Sequence, residues 1–179
     1  MKSKAFAAIV FAIFAIAVVA YLVSTGASLP QRLATHFDWH GQPNGWMSRP
    51  SYLRVFGLTG LGVPLLMIAL LFAVRFFPAW MINIPRREYW LAPERRAQTF
   101  DCLLRWGLWF GCLFLAFLAA VHHLVVEANG RTPIAMPSGI GAICILFLMA
   151  VLASTAGLLM HFAKGTPPDP AGTAQPSGC

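Results

Sequence analysis

Four runs of about 20 residues pass without a single charged side chain, at about 5–23, 55–74, 106–126 and 139–162. A helix needs roughly that many apolar residues to cross the hydrocarbon core of a bilayer. The remainder of the 179-residue chain cannot offset so much apolar surface. The chain is 58% hydrophobic and only 11% charged, where a soluble domain is about 25% charged. The expected fold class is therefore all-α integral membrane, with four transmembrane helices. Residues 1–163 form one membrane domain. The tail KGTPPDPAGTAQPSGC, 164–179, is rich in proline, glycine and small polar residues and is expected to be disordered.

Each span carries some internal detail. Lys2 and Lys4 precede the first in the manner of a signal peptide, but its apolar stretch is longer than the usual h-region, so an uncleaved span is expected. Ala5, Ala8, Ala12 and Ala15 recur at helical spacing and predict a stripe for close helix packing. The second span holds Gly57, Gly60, Gly62 and Pro64, and Pro64 predicts a packing bend. Cys112 and Cys144 fall inside apolar runs, and the four cysteines show no C-x-x-C spacing. They read as small core or lipid-facing residues rather than a zinc or redox motif.

Basic residues set the orientation. With the N-terminus cytoplasmic, that side holds Lys2, Lys4, Arg75, Arg86, Arg87, Arg95, Arg96, Arg105 and Lys164, and the other holds Arg32, Arg49, Arg54 and Arg131. Nine against four predicts both termini on the cytoplasmic side. The net charge of +7 is spread over short loops, so it does not indicate nucleic acid. Trp80, Tyr89, Trp90 and Trp106 then read as an aromatic belt at the cytoplasmic interface.

Two long loops remain. The outer one contains THFDWHGQPNGW, residues 35–46. Pro43 and Asn44-Gly45 are strong turn residues and predict a tight turn with positive φ. Before them His36, Asp38 and His40 alternate with Phe37 and Trp39, as on an extended strand with a polar and an aromatic face. Two short strands forming a hairpin at the membrane surface fit this pattern, with Trp39 and Trp46 as anchors or contact residues. His36, Asp38 and His40 also suggest zinc or copper, joined by His122 and His123 from the outer end of the third span. H-x-D-x-H is a weak pattern beside a helix-borne H-E-x-x-H, so no cofactor is the first expectation.

The inner loop reads RFFPAWMINIPRREYWLAPERRAQTFDCLLR. Pro93 and Glu94 look like a helix start. The arginines suit anionic headgroups or a cytoplasmic protein partner, although the positive-inside rule alone accounts for them. No nucleophile elbow, P-loop or dinucleotide fingerprint occurs, and the spans carry no buried carboxylate or lysine for a proton or ion relay. An enzyme is not expected.

Leu29-Pro30 followed by THFDWHGQPNGW resembles the signature of a small bacterial membrane domain of unknown function, found at the N-terminus of the immunity and signalling protein for the sporulation-delay killing toxin. NIPRREYWLAPERR, residues 83–96, is similar to a second block in part of that family. The resemblance places Pro30, His36, Gly41, Pro43, Gly45 and Trp46 at motif positions, with Asp38 and Asn44 at its variable ones. It marks Asn83, Pro85, Tyr89, Trp90, Pro93, Glu94 and Arg95 in the inner block. It implies a helical layout and transfers no catalytic residue. The expected function is non-enzymatic: an inner-membrane protein whose outer loop (Pro30, His36, Asp38, Trp39, Gly41, Pro43, Asn44, Gly45, Trp46) recognises a ligand or peptide in envelope sensing or protection. The alternative is a metal-handling membrane protein using the outer histidines.

Overall fold

Apolar side chains cover the outside of this protein. In the computed structural model, which describes residues 2–164, Ile13, Leu58 and Leu146 are 63%, 74% and 68% exposed. Four helices are long and apolar enough to cross a membrane. They are α1 (Lys2–Gly26), α2 (Arg49–Ala73), α4 (Arg96–Gly130) and α5 (Ile140–Ala163). Between α1 and α2 lies a hairpin of β1 (Arg32–Phe37) and β2 (Pro43–Ser48). Between α2 and α4 lie two single 3₁₀ turns and the one-turn helix α3 (Arg87–Trp90).

The helices alternate in direction. The C-terminal ends of α1 and α4 and the N-terminal ends of α2 and α5 meet at the hairpin end. The other end is tied by Lys4 of α1, whose Nζ lies 2.6 Å from Asp101 Oδ1 of α4. Helix α4 is the hub and packs against α1, α2 and α5. At its middle Gly111 leaves room for Phe11 of α1, whose ring would lie 2.7 Å from an added Cβ, and for Pro64 of α2. Such close approach is how helices associate where burial from water supplies little. Ala7, Phe11, Leu108 and Leu115 form this central contact.

Four expectations change in detail. Helix α2 begins at Arg49 rather than near 55. Ser48 caps it by accepting a bond from Ser51 N at 3.3 Å, and Pro50 fits its first turn. The helix expected to start at Pro93-Glu94 does run on into the third span as the continuous α4, but its first residue is Arg96. Charged residues bound the apolar runs but do not stop a helix. Pro93 and Glu94 therefore sit in the turn ahead of α4, where Ala92 O accepts from Arg95 N and Arg96 N at 2.9 Å each. Of the predicted alanine stripe only Ala15 packs, beside Ala7, Phe11, Phe14 and Val18, while Ala5, Ala8 and Ala12 are exposed. Trp90 is no interfacial residue. It is buried among Ile82, Leu91, Phe100, Leu103 and Phe162, and its Nε1 donates to Phe162 O at 2.7 Å.

The expected bend at Pro64 is a buried packing contact within the continuous α2. Cys112 is half-buried and Cys144 exposed, both as free thiols. Of the tail 164–179, all but Lys164 lies outside the described residues.

Candidate functional site

The hairpin is legible residue by residue. Leu33 pairs with Met47 and turns inward onto Leu29, Tyr52 and Val125. Arg32 and Trp46 take the outer face, with the Arg32 guanidinium 5.5 Å from the Trp46 ring centroid. The register slips twice, leaving Thr35 and Asn44 unpaired as bulges. Bulges raise twist and re-aim the strand, and the first one buries Thr35 Oγ1 without a partner among the described residues.

The turn is not at Asn44-Gly45. It spans Asp38 to Gln42. Asp38 N donates to Gln42 O at 2.8 Å, Gly41 N donates to Asp38 O at 3.0 Å, and Asp38 Oδ1 accepts from His40 N and Gln42 N at 2.9 and 2.8 Å. An aspartate that caps its own loop in this way closes the turn before Pro43 is reached. Gly41 supplies the positive φ, +78°. Gly45 is needed for space instead, because a Cβ there would lie 2.7 Å from His36 Cβ across the ladder. The predicted alternation of His36, Asp38 and His40 ends with the strand at Phe37.

Three fasteners hold the hairpin to the helices. The first is Asn129 of α4. Its Oδ1 accepts from Ala34 N at 2.8 Å, and its Nδ2 donates to Ala34 O and Val125 O at 2.9 Å each. One side-chain amide thus occupies the place of a third strand beside β1. The second is Arg49, whose Nη1 donates to Ala27 O and Leu29 O at 3.1 Å each. The third is Met136 N, which donates to Gly41 O at 3.0 Å and pins the turn to the α4–α5 connection. Beyond these fasteners Trp39 stands 88% exposed, with the His40 ring tilted against it at 4.0 Å between ring centroids.

Beneath the hairpin a polar chain joins three helices. Tyr52 of α2 lies 2.8 Å from His122 Nδ1, and His122 Nε2 lies 2.7 Å from Thr25 Oγ1 of α1. Thr25 Oγ1 spends its one proton on Tyr21 O at 2.7 Å. It must therefore accept from Nε2–H, so Tyr52 O–H donates to Nδ1. The chain is satisfied by the neutral Nε2–H tautomer, and His122 is 1% exposed. His123 makes a separate contact, with Nδ1 3.0 Å from the Tyr21 hydroxyl.

The structure therefore divides the predicted site residues. Asp38, Trp39, His40 and Gly41 form the hairpin tip, and Pro43, Asn44, Gly45 and Trp46 form β2 facing His36. Pro30 is exposed at the entry to β1 beside buried Leu29. His122 and His123 are drawn to α1 and α2, and no group of three His, Cys, Asp or Glu able to hold a metal occurs among the described residues. Of the inner block, Asn83, Tyr89, Glu94 and Arg95 line an open cavity of about 1000 Å³, Pro85 is half-buried at the turn before α3, and Trp90 is core. Sequence reasoning missed Asn129, Tyr52, Thr25 and Tyr21. One signal was present: Asn129 stands seven residues after His122, on the same face of α4.

Fold and site together define a mostly helical chain with four helices long and apolar enough to cross a membrane and a fastened hairpin at one end. A family model described as a domain of unknown function (DUF1648) matches residues 8–68, which take in most of α1, the whole hairpin and α2 as far as Ile68. The match contains the THFDWHGQPNGW motif and stops short of the inner block at 83–96. No curated protein and no solved structure matches the chain.

Proposed function

We propose that this chain is a multi-pass protein of the bacterial cytoplasmic membrane, with both termini inside, that uses its outer hairpin to recognise a peptide or small ligand without transforming it. The observation that carries the reading is the Trp39–His40 pair. It is fully presented to the surroundings at the tip of a loop whose backbone is tied by Asp38, Gly41 and Met136. Rigid aromatic residues offer contact area with little entropy to lose on binding. The resemblance of residues 29–46 to the sporulation-delay immunity family supports a peptide ligand and a protective role. The apolar exterior and the nine-to-four distribution of basic residues support the membrane placement.

Topology is tested with reporter fusions after Gly45 and after Glu88. A periplasmic reporter is expected to be active at Gly45 and silent at Glu88, and activity at Glu88 overturns the orientation. Recognition is tested by complementing a deletion strain that shows sensitivity to an envelope toxin. Trp39→Ala should abolish protection while expression and insertion persist. Full protection by Trp39→Ala refutes the recognition role and leaves Trp39 as a lipid anchor.

A further inference from the structure

An open cavity lies at the opposite end from the hairpin, in the segment between α2 and α4. It measures about 1000 Å³ and is lined by Ile82–Ile84, Arg86–Tyr89, Ala92, Glu94 and Arg95. Three guanidiniums and two carboxylates share this lining. The groups are not loosely arrayed. The Arg95 guanidinium lies 4.1 Å from the Tyr89 ring centroid, which holds its planar fork in one orientation. Arg87 Nη1 donates to Trp80 O at 3.2 Å, which leaves its other donors for a ligand. Arg86 takes the left-handed conformation, φ 51°, unfavourable for a residue with a side chain and characteristic of positions held in place by their surroundings. Its side chain and that of Arg87 both line the same space.

Next to this polar cavity the chain presents a strip of large apolar residues. Phe76, Phe77, Trp80 and Met81 are 73%, 44%, 74% and 52% exposed. They directly precede the cavity wall at Ile82. A site with oriented guanidiniums on one side and bare aromatic and aliphatic surface on the other matches an amphiphile with a phosphate head.

We propose that Arg86, Arg87 and Arg95, with Tyr89 beneath, form a binding site for a phosphate-bearing anion, filled either by the headgroup of an anionic phospholipid lying against Phe76, Phe77, Trp80 and Met81 or by a soluble phosphate ester. The carboxylates of Glu88 and Glu94 stand on the same lining. The proposal is independent of the hairpin and its ligand.

The full chain is reconstituted in nanodiscs of phosphatidylcholine with a minor share of phosphatidylglycerol, released, and weighed by native mass spectrometry. In parallel, glycerol phosphate is titrated against the protein in detergent by calorimetry. Retention of phosphatidylglycerol over phosphatidylcholine, with no heat from glycerol phosphate, supports the site with a lipid occupant. Saturable binding of glycerol phosphate supports it with a soluble occupant. Replacing Arg86, Arg87 and Arg95 together by Gln should weaken either binding by about a hundredfold. Arg95→Gln alone should weaken it by about fivefold with an unchanged circular dichroism spectrum, and it keeps the test decisive should the triple variant fail to fold. Arg54→Gln, at the hairpin end, should change nothing. Equal retention of both lipids together with no glycerol phosphate binding overturns the proposal, as does undiminished binding in Arg95→Gln.

Discussion

Removing the amide of Asn129 should release the hairpin from the helices while leaving the helices assembled. In Asn129→Ala three hydrogen bonds disappear. Val125 O keeps its helical partner, but Ala34 N–H and C=O lose theirs, and Ala34 is fully buried. A buried backbone group left unsatisfied costs about 1–3 kcal/mol, so two cost about 2–6 kcal/mol. Asn129 itself is only half-buried, so water entering the vacated space brings the figure toward the lower end, about 2–3 kcal/mol. Asn129→Asp keeps an acceptor for Ala34 N–H but turns lone pairs toward Ala34 O and Val125 O. It should therefore rescue little.

Amide exchange in detergent micelles is the direct assay. Two kcal/mol corresponds to about a thirtyfold acceleration when exchange follows the opening equilibrium. That acceleration is expected in peptides covering 31–48 and not in α5. Exchange within twofold of the parent chain at 31–48 refutes the view that Asn129 fastens the hairpin.

Two further perturbations probe the same end of the molecule. Gly45→Val forces a branched side chain against His36 Cβ and should cost about 1–3 kcal/mol by overpacking, with loss of near-ultraviolet dichroism from Trp39 and Trp46; an unaltered spectrum contradicts the close ladder contact. Tyr52→Phe removes the donor to His122 Nδ1, and Thr25→Val removes the acceptor for Nε2–H. Each should lower the melting temperature in detergent through a loss of about 1–3 kcal/mol, and the double variant should lose clearly less than the sum because both act on one chain of bonds. Strict additivity argues against the shared histidine.

The helices were readable because a charge-free run of twenty residues has few other fates. The hairpin was readable because glycine, proline, asparagine and aspartate cluster between residues of alternating character. Its turn was misplaced for a physical reason. Asn44-Gly45 carries the stronger local turn signal, but Asp38 closes the chain earlier through its own side chain, and Gly45 answers to His36 across the ladder rather than to φ. Trp90 was read from its neighbours in sequence, while its burial depends on Phe162, 72 residues away. Asn129 and Tyr52 escaped notice in the same way. Each is one polar residue in a mostly apolar helix, and their partners stand 95 and 70 residues distant.

At 35 residues, α4 is about 52 Å long at the usual rise per residue, well beyond the roughly 30 Å hydrocarbon thickness of a bilayer. Its two ends carry different loads. Asn129 holds the hairpin at one, and Thr99 Oγ1 donates to Trp90 O at 2.8 Å at the other. Gly111, where Phe11 and Pro64 approach, lies near the middle of that length. A tilt of about 10° about its midpoint carries the ends in opposite directions by about 5 Å each, given that length. Were α4 to tilt as one rigid body, a displacement at the hairpin would be matched beside the arginine-lined cavity by one of similar size and opposite sense.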